Sequence, residues 1–399
     1  MIFIPLIVVT LFFGMGMQGA LIEAEAEEVY GEIAHKHLNH LAKNIGERVA
    51  GTVGDRESRD YIYRSFEQLG YNSEIQPFSY TNRGNTVDTS NIIAVKPGST
   101  DQQIIIGAHY DTVKGVEGVE DNASSIGVML EVAERIKNID LPYTVRFVAF
   151  GAEESGLKGS NYYVSHMTKP EIDKTKVMIN MDSLIVGDYM YVYGGLGAKG
   201  WVRELGLNIG KDLGIQLQTN PGLNPLYPKG TTGSWSDHAP FERKGITYAY
   251  LEATNWEIGD LDGYTQTKKH GGIWHDPQKD NMAFITTEFP KRFENRLGQF
   301  SEVLNEMVLE LMPSINNMKA QINVSRENKE IVNDSVARLM QTHLISVAHY
   351  HGKGLTDKAI KHMNGFNLLI EQLKDGKQVS EKAYNSLKAD ADSILSAWQ

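Results

Sequence analysis

The chain has 399 residues, 41% hydrophobic and 22% charged, with 38 Gly and 12 Pro, a balance that excludes intrinsic disorder and collagen-like repeats. Its 39 Lys and Arg stand against 50 Asp and Glu, a formal charge of -11, so the surface repels nucleic acid and anionic membranes and neither is expected as a partner. Cysteine is absent, which removes disulfides, a thiol nucleophile, thiolate metal sites and a lipoprotein anchor, and leaves His and carboxylates to hold any metal.

Met1 to Ala20 is an apolar run too short for a membrane span, followed by Ala24-Glu25-Ala26, a small-residue cleavage pattern. It reads as a secretory signal over 1–26, cut after Ala26 or nearer Ala20, which places the mature chain outside the cell. No Lys or Arg precedes the run, so a retained anchor is the alternative. Helical spacing then runs from Glu27 to a stop at Gly70. Asn91–Val95, Ile104–Ile106, Thr144–Phe150 and Val177–Met181 read as buried strands, with helical segments such as Ile126–Ile139 between them. This pattern predicts an α/β fold, a mixed, mostly parallel sheet with helices on both faces. Phe293, Leu297, Phe300, Leu304, Met307 and Leu311 predict a closing helix to Pro313.

Past Pro313 the β-branched runs stop and Lys, Glu, Asn and Ala dominate. Residues 27–313 therefore read as one enzyme domain, 314–327 as a polar linker or fraying helix end, and 328–399 as a small all-α bundle. In the bundle Val332, Val336, Leu339, Met340 and Val347 form an apolar stripe, and Thr356 and Ser380 are candidate N-caps.

Ligands of an open α/β sheet sit at the carboxyl ends of its strands, and that is where donor residues fall. His109 and Asp111 follow the second strand, and Asp111 can fix the imidazole's tautomer. Asp121 opens the next helix; its oxygens suit either an N-cap or two cations. Glu153 and Glu154 follow the third strand, pointing different ways, so that one can ligate while the other handles a proton. Asp182 ends the fourth, and His275 lies in a loop with Asp276 and Asp280. Two imidazoles and three carboxylates suit Zn²⁺, and a shared carboxylate suits a two-metal hydrolytic centre. His270 is the rival to His275, and His238 reads as a supporting residue beside the metals. Neither a nucleophile elbow nor a phosphate-binding loop is present.

The order His109-x-Asp111, Asp121, Glu153-Glu154, Asp182, His275 resembles the secreted two-zinc aminopeptidases of the aminopeptidase Y and aminopeptidase S family, over roughly Leu41 to Ala283. Ser183–Asp188 and Glu252–Trp256 look most like the alkaline phosphatase isozyme conversion aminopeptidases, which trim N-terminal arginine. The resemblance implies that Asp121 bridges two zinc ions, with His109 and Asp182 on one and Glu154 and His275 on the other. Glu153 is then the general base, and Asp111, which orients His109, is the second catalytic residue. It implies peptide or protein N-termini as substrate and no stable membrane insertion after signal removal. The family's His-x-x-x-Asp is lengthened to His275 and Asp280, leaving Asp276 or Asp280 to orient the imidazole. Tyr248 and Tyr250 are candidates for the oxyanion-stabilising tyrosine. Glu252, with Asp260 or Asp262, is a candidate for selecting basic N-terminal residues. A carboxypeptidase, a glutaminyl cyclase or a non-catalytic peptide-binding protein are the rival readings. Residues from about Asn328 to Gln399 resemble a FIMAH domain through Lys361–Phe366 and Leu387–Asp392, a binding or spacer module or a stabilising cap.

Overall fold

The computed structural model describes residues 29–399; the expected signal segment, 1–26, lies outside them. In chain order come α1 (Glu32–Asn39), α2 (Val53–Gln68), β1 (Asn72–Asn82), β2 (Asn85–Lys96), β3 (Gln103–His109), α3 (Ser124–Ile136), β4 (Thr144–Phe150), α4 (Lys158–His166), α5 (Lys169–Lys174), β5 (Thr175–Met181) and β6 (Tyr189–Gly194). They are followed by α6 (Trp201–Asp212), β7 (Leu217–Gln218), α7 (His238–Arg243), β8 (Tyr248–Thr254), α8 (Met282–Glu288) and α9 (Pro290–Glu310). Thr52 caps α2 by accepting from the Asp55 amide, and the chain turns back beyond α2 through Gly70, whose φ of 84° a side chain would oppose.

The eight strands form one sheet in the order β1-β2-β4-β3-β5-β8-β6-β7. The central β4-β3-β5-β8 strands are mutually parallel, and β2 and β6 join them antiparallel. Both faces are covered because both parities of each central strand are apolar. Ile104, Ile106, Phe147, Ala149, Val177 and Ile179 pack into a large core under α1, α3, α6 and α9. Ile105, Val148, Phe150 and Met178 meet Tyr163 and Phe241 of α4 and α7 on the other face. In this register β3, β4 and β5 end side by side, so His109, the Gly151–Glu154 loop and Asp182 emerge from one edge.

The C-terminal part is α10 (Ile315–Glu327), α11 (Asp334–Gly352), α12 (Thr356–Asp375) and α13 (Glu381–Trp398). The expected linker over 314–327 is instead a full helix: Ser314 caps it, and Met318 and Ile322 enter the bundle's own core. Its polar residues mask only one apolar stripe, which reads as a linker when the partner helices are unknown. Val336, Met340 and Val347 are buried as expected, but Val332 and Leu339 are 50% and 44% exposed, and Leu344 takes the core position. Ser380 caps α13, whereas Thr356 is already helical and follows an uncapped Leu355. No helix among the described residues is long and apolar enough to cross a membrane.

Candidate metal centre and active-site cleft

At the carboxyl edge of the sheet the five expected donors converge. His109 Nε2 lies 3.1 Å from Asp121 Oδ1 and 3.5 Å from Asp182 Oδ1. His275 Nε2 lies 3.3 Å from Asp121 Oδ2 and 2.9 Å from Glu154 Oε2. Two triads result, His109–Asp121–Asp182 and Asp121–Glu154–His275, each with ligand atoms within 4.8 Å of one another and with Asp121 in common. The loop of His275 is the more open side, with its side chain 43% exposed against 2% for His109.

The surroundings hold these donors in place. His109 Nδ1 lies 3.2 Å from the Asp111 carbonyl oxygen and 3.6 Å from its carboxylate; a proton on Nδ1 therefore leaves the Nε2 lone pair facing the cluster. The Asp111 carboxylate accepts from the amides of Glu153 and Glu154 at 3.0 and 3.3 Å. Asp182 accepts from the Ser236 hydroxyl at 2.8 Å. Left-handed φ values at Ala152 (56°), Ser183 (57°) and His275 (60°) put strained backbone beside three of the donors, the pattern of a functional site.

Electrostatically the cluster is unbalanced. Burial alone would depress the His109 imidazole, yet Asp182, Glu153, Asp111 and Asp121 hold it well above its ordinary value. Hydrogen bonds to Asp121 and Glu154 raise His275 to about 11. Burial pushes Glu154 to about 7, with Asp121 adding to the rise, and holds Glu153 well above the carboxylate range. Asp121 Oδ1 and Glu154 Oε1 are buried with no hydrogen-bond partner among the described residues. Imidazole lone pairs and carboxylate oxygens at these distances repel unless a positive charge sits between them, so the donor set fits bound cations.

The cluster floors a cleft of about 460 Å³ whose wall includes Glu153, Trp235, Tyr250, Glu252, Tyr264 and Trp274, with no Lys or Arg among the described lining residues. Glu252 is 2% exposed and accepts from the hydroxyls of Tyr193 (2.7 Å) and Tyr250 (3.3 Å); burial raises it to about 8.

Other expectations are corrected. Tyr248 does not line the cleft: it sits near the start of β8, its ring against His238 at 4.7 Å, and faces a separate cavity beside Leu196. Asp260 and Asp262 are also absent from the cleft lining; the Asp262 carboxylate accepts from the Tyr264 amide instead. Neither Asp276 nor Asp280 has a hydrogen bond to His275. Asp276 caps the Gln278 amide, while buried Asp280 accepts from the amides of Glu120 and Asp121 at 2.8 and 3.3 Å and so anchors the shared donor's loop. His270 pairs with Glu288 at 3.0 Å against Phe284 and Phe289. His238 is fully buried against Tyr248 and Tyr250; its neighbour Ser236 is the residue that touches a donor.

Three supporting residues escape sequence reading. Fully buried Glu120 accepts from the amides of Ile185 and Val186 and from Gln266, fixing the loop behind Asp182. Fully buried Arg48 donates to the carbonyls of Gly46, Tyr110, Glu117 and Gly118, pinning the turn between His109 and Asp121. Asp237 is fully buried beside the centre, and burial raises it to about 7. Apart from Gly46 and Leu41, the side-chain partners of Glu120 and Arg48 are 62 or more residues away, so no local spacing marks them. For Asp237 the only signal was its place next to the serine.

Residues 91–301 match Peptidase family M28, and residues 315–396 match the FIMAH domain. The chain is similar to the alkaline phosphatase isozyme conversion protein of Escherichia coli, 38% identical over 70% of this chain and 90% of that protein. It is also similar to aminopeptidase YwaD of Bacillus subtilis, 30% identical over 56% and 44% of the two chains. Among solved structures, a zinc aminopeptidase from Bacillus subtilis superposes with a TM-score of 0.58 at 19% identity, covering 71% of this chain and 96% of the other. A glutaminyl cyclase from Porphyromonas gingivalis gives 0.56 at 21%, covering 71% and 99%; these two share the fold. With the family match spanning more than half its length and the first relative matched almost end to end, the chain belongs to peptidase family M28 and is a peptide hydrolase.

Proposed function

We propose that the chain is a secreted two-zinc aminopeptidase that removes residues from peptide N-termini, with Glu153 as general base. The observation that carries this reading is the sharing of Asp121 between two donor triads at the floor of one cleft. His109 and Asp182 would hold one ion, Glu154 and His275 the other, and Asp121 both. When bound, the ions supply Lewis-acid polarisation of the scissile carbonyl and acidify water.

The chain's own residues do the rest. Glu153 is 9% exposed in the cleft wall, and its raised basicity suits it to take a proton from the attacking water and return it to the leaving amine. Asp111 grips the amides of both glutamates, which keeps the base and its ligating neighbour at fixed orientation. A cleft rich in carboxylates draws in the substrate's ammonium, and the absence of Lys and Arg from its described lining leaves no side chain to pair a substrate carboxylate, which argues against a carboxypeptidase. Glu252 would favour a basic N-terminal side chain, since a buried carboxylate gains most from an incoming positive partner. Tyr250, also in the wall, is the remaining candidate to polarise the carbonyl. Secretion is supported by the apolar Met1–Ala20 run and Ala24-Glu25-Ala26; N-terminal sequencing of protein recovered from culture medium tests it.

The enzymatic test is cleavage of a free-amine peptide against its acetylated form, with and without chelator. Chelator-sensitive release of the first residue from the free-amine form alone is expected. Ring closure of an N-terminal glutamine would favour the cyclase, C-terminal release the carboxypeptidase, and tight binding without turnover a non-catalytic protein.

A further inference from the structure

We propose that residues 315–399 are a fixed brace on the peptidase core, gripping the base of β5 and, through α10, the loop that forms one wall of the cleft. The first grip is a buried polar knot. Lys176 Nζ, on a side chain 8% exposed, donates to both Asp390 oxygens at 3.0 and 2.9 Å and to Ser386 Oγ at 2.6 Å. Tyr143, just before β4, donates to Asp390 Oδ1 at 2.5 Å, and Gln321 of α10 donates to Ser386 Oγ at 2.7 Å. Asp390 is 2% exposed, so each charge is the other's replacement for water. A bundle swinging on a tether would leave Lys176 and Tyr143 to find water at a strand end and would forfeit their bonds to Asp390 and Ser386, keeping only the Gln321–Ser386 bond internal to the bundle.

The second grip leads toward the cleft. Glu327, the exposed last residue of α10, accepts from the Ala198 amide at 2.8 Å, and its carboxylate lies close against Gly197. Arg203, at the start of α6 behind this turn, donates to the carbonyls of Gly195 and Gly230 at 3.3 and 2.9 Å. Gly230 is held in turn by the Gly194 amide and donates to Asn220. Residues 219–235 are thus tied to the bundle by hydrogen bonds on either side of the 194–203 turn, and they deliver Ser234 and Trp235 to the cleft wall. The bearing of this brace on substrate binding rests on the peptidase reading; the docking itself does not.

The test uses the full chain in calorimetry, limited proteolysis and hydrogen exchange. Wild type should unfold in one transition and resist cleavage around Pro313. Asp390→Leu strands Lys176 and should lower the midpoint by roughly 5 °C or more and release the bundle to protease. Lys176→Met with Asp390→Leu removes both charges and should recover most of the loss, which a general folding defect would not allow. Glu327→Ala should speed exchange across residues 219–235 while leaving α2 unchanged. A separately melting bundle in wild type, an Asp390→Leu chain indistinguishable from wild type, or unchanged exchange at 219–235 would overturn the proposal. If the peptidase reading fails, wild type shows no turnover, whereas a failure of docking appears in the melting and cleavage patterns.

Discussion

Strand β5 has opposite electrostatics at its two ends. At its start, Lys176 and Asp390 neutralise each other, and Lys176, Tyr143 and Gln321 all donate to acceptors within the knot. At its end, Asp182 joins a cluster in which buried oxygens of Asp121 and Glu154 have no hydrogen-bond partner among the described residues and imidazoles are driven far above their usual range. Both places are buried and polar, and among the described residues only the first has its polar groups paired. Burial of charge is tolerated where partners close the circuit; where they do not, the donors fit a charge supplied from outside.

The contrast is broken most severely by removing that outside charge. Chelation should bring peptide cleavage to background and lower the thermal midpoint, and re-addition of zinc should restore both. Next in size is Glu153→Gln, expected to cut turnover by about 10²–10⁴-fold, the usual worth of a general base, with zinc content by elemental analysis unchanged. Loss of metal in this variant would make Glu153 a ligand instead. Third, Asp280→Asn should weaken zinc binding by about 10–100-fold in a competition titration, because it loosens the amides of Glu120 and Asp121; Asp276→Asn should leave affinity unchanged.

The unbalanced end also sets a pH dependence. In the metal-free chain Glu154 and Asp280 lie near 7 and Glu252 near 8, all raised by burial. The folded chain therefore keeps protons that the unfolded chain has lost, and its stability falls as pH rises from the ordinary carboxylate range toward 8. His275, raised to about 11, acts in the same direction: its contribution is full below its ordinary value of 6.5 and is lost as pH climbs through 11. Melting scans of the metal-free protein should show this decline, and zinc should flatten it by standing in for the protons. The smallest effect belongs to Glu252→Gln, which should lower cleavage of an arginine anilide by severalfold while sparing the leucine anilide; equal loss on both would assign Glu252 to the common N-terminal ammonium.

Much of this was legible in the sequence, for identifiable reasons. The strands β3, β4 and β5 are mostly apolar runs, as strands buried on both faces tend to be, and a donor residue ends each run or follows within four residues. The outer strand β1 was missed because most of its residues are exposed or half-buried and no apolar run marks it. β8 was read only as a source of pocket residues, because its tyrosines and glutamate hide a fully buried strand. Period-two alternation places Tyr248, Tyr250 and Glu252 on one face, but not at one depth, which is why Tyr248 falls outside the cleft. The grip of Asp280 on the Asp121 loop, 159 residues away, and the knot between Lys176 and Asp390 are products of tertiary packing. No spacing rule reaches across such separations.

The most direct measurement is the zinc content of the purified chain and of its Asp121→Asn variant after dialysis against trace zinc. About two ions per wild-type chain, with both sites weakened together by the single substitution, is the expected result. One ion or none in wild type, or two retained without Asp121, would contradict a shared centre at the end of β5.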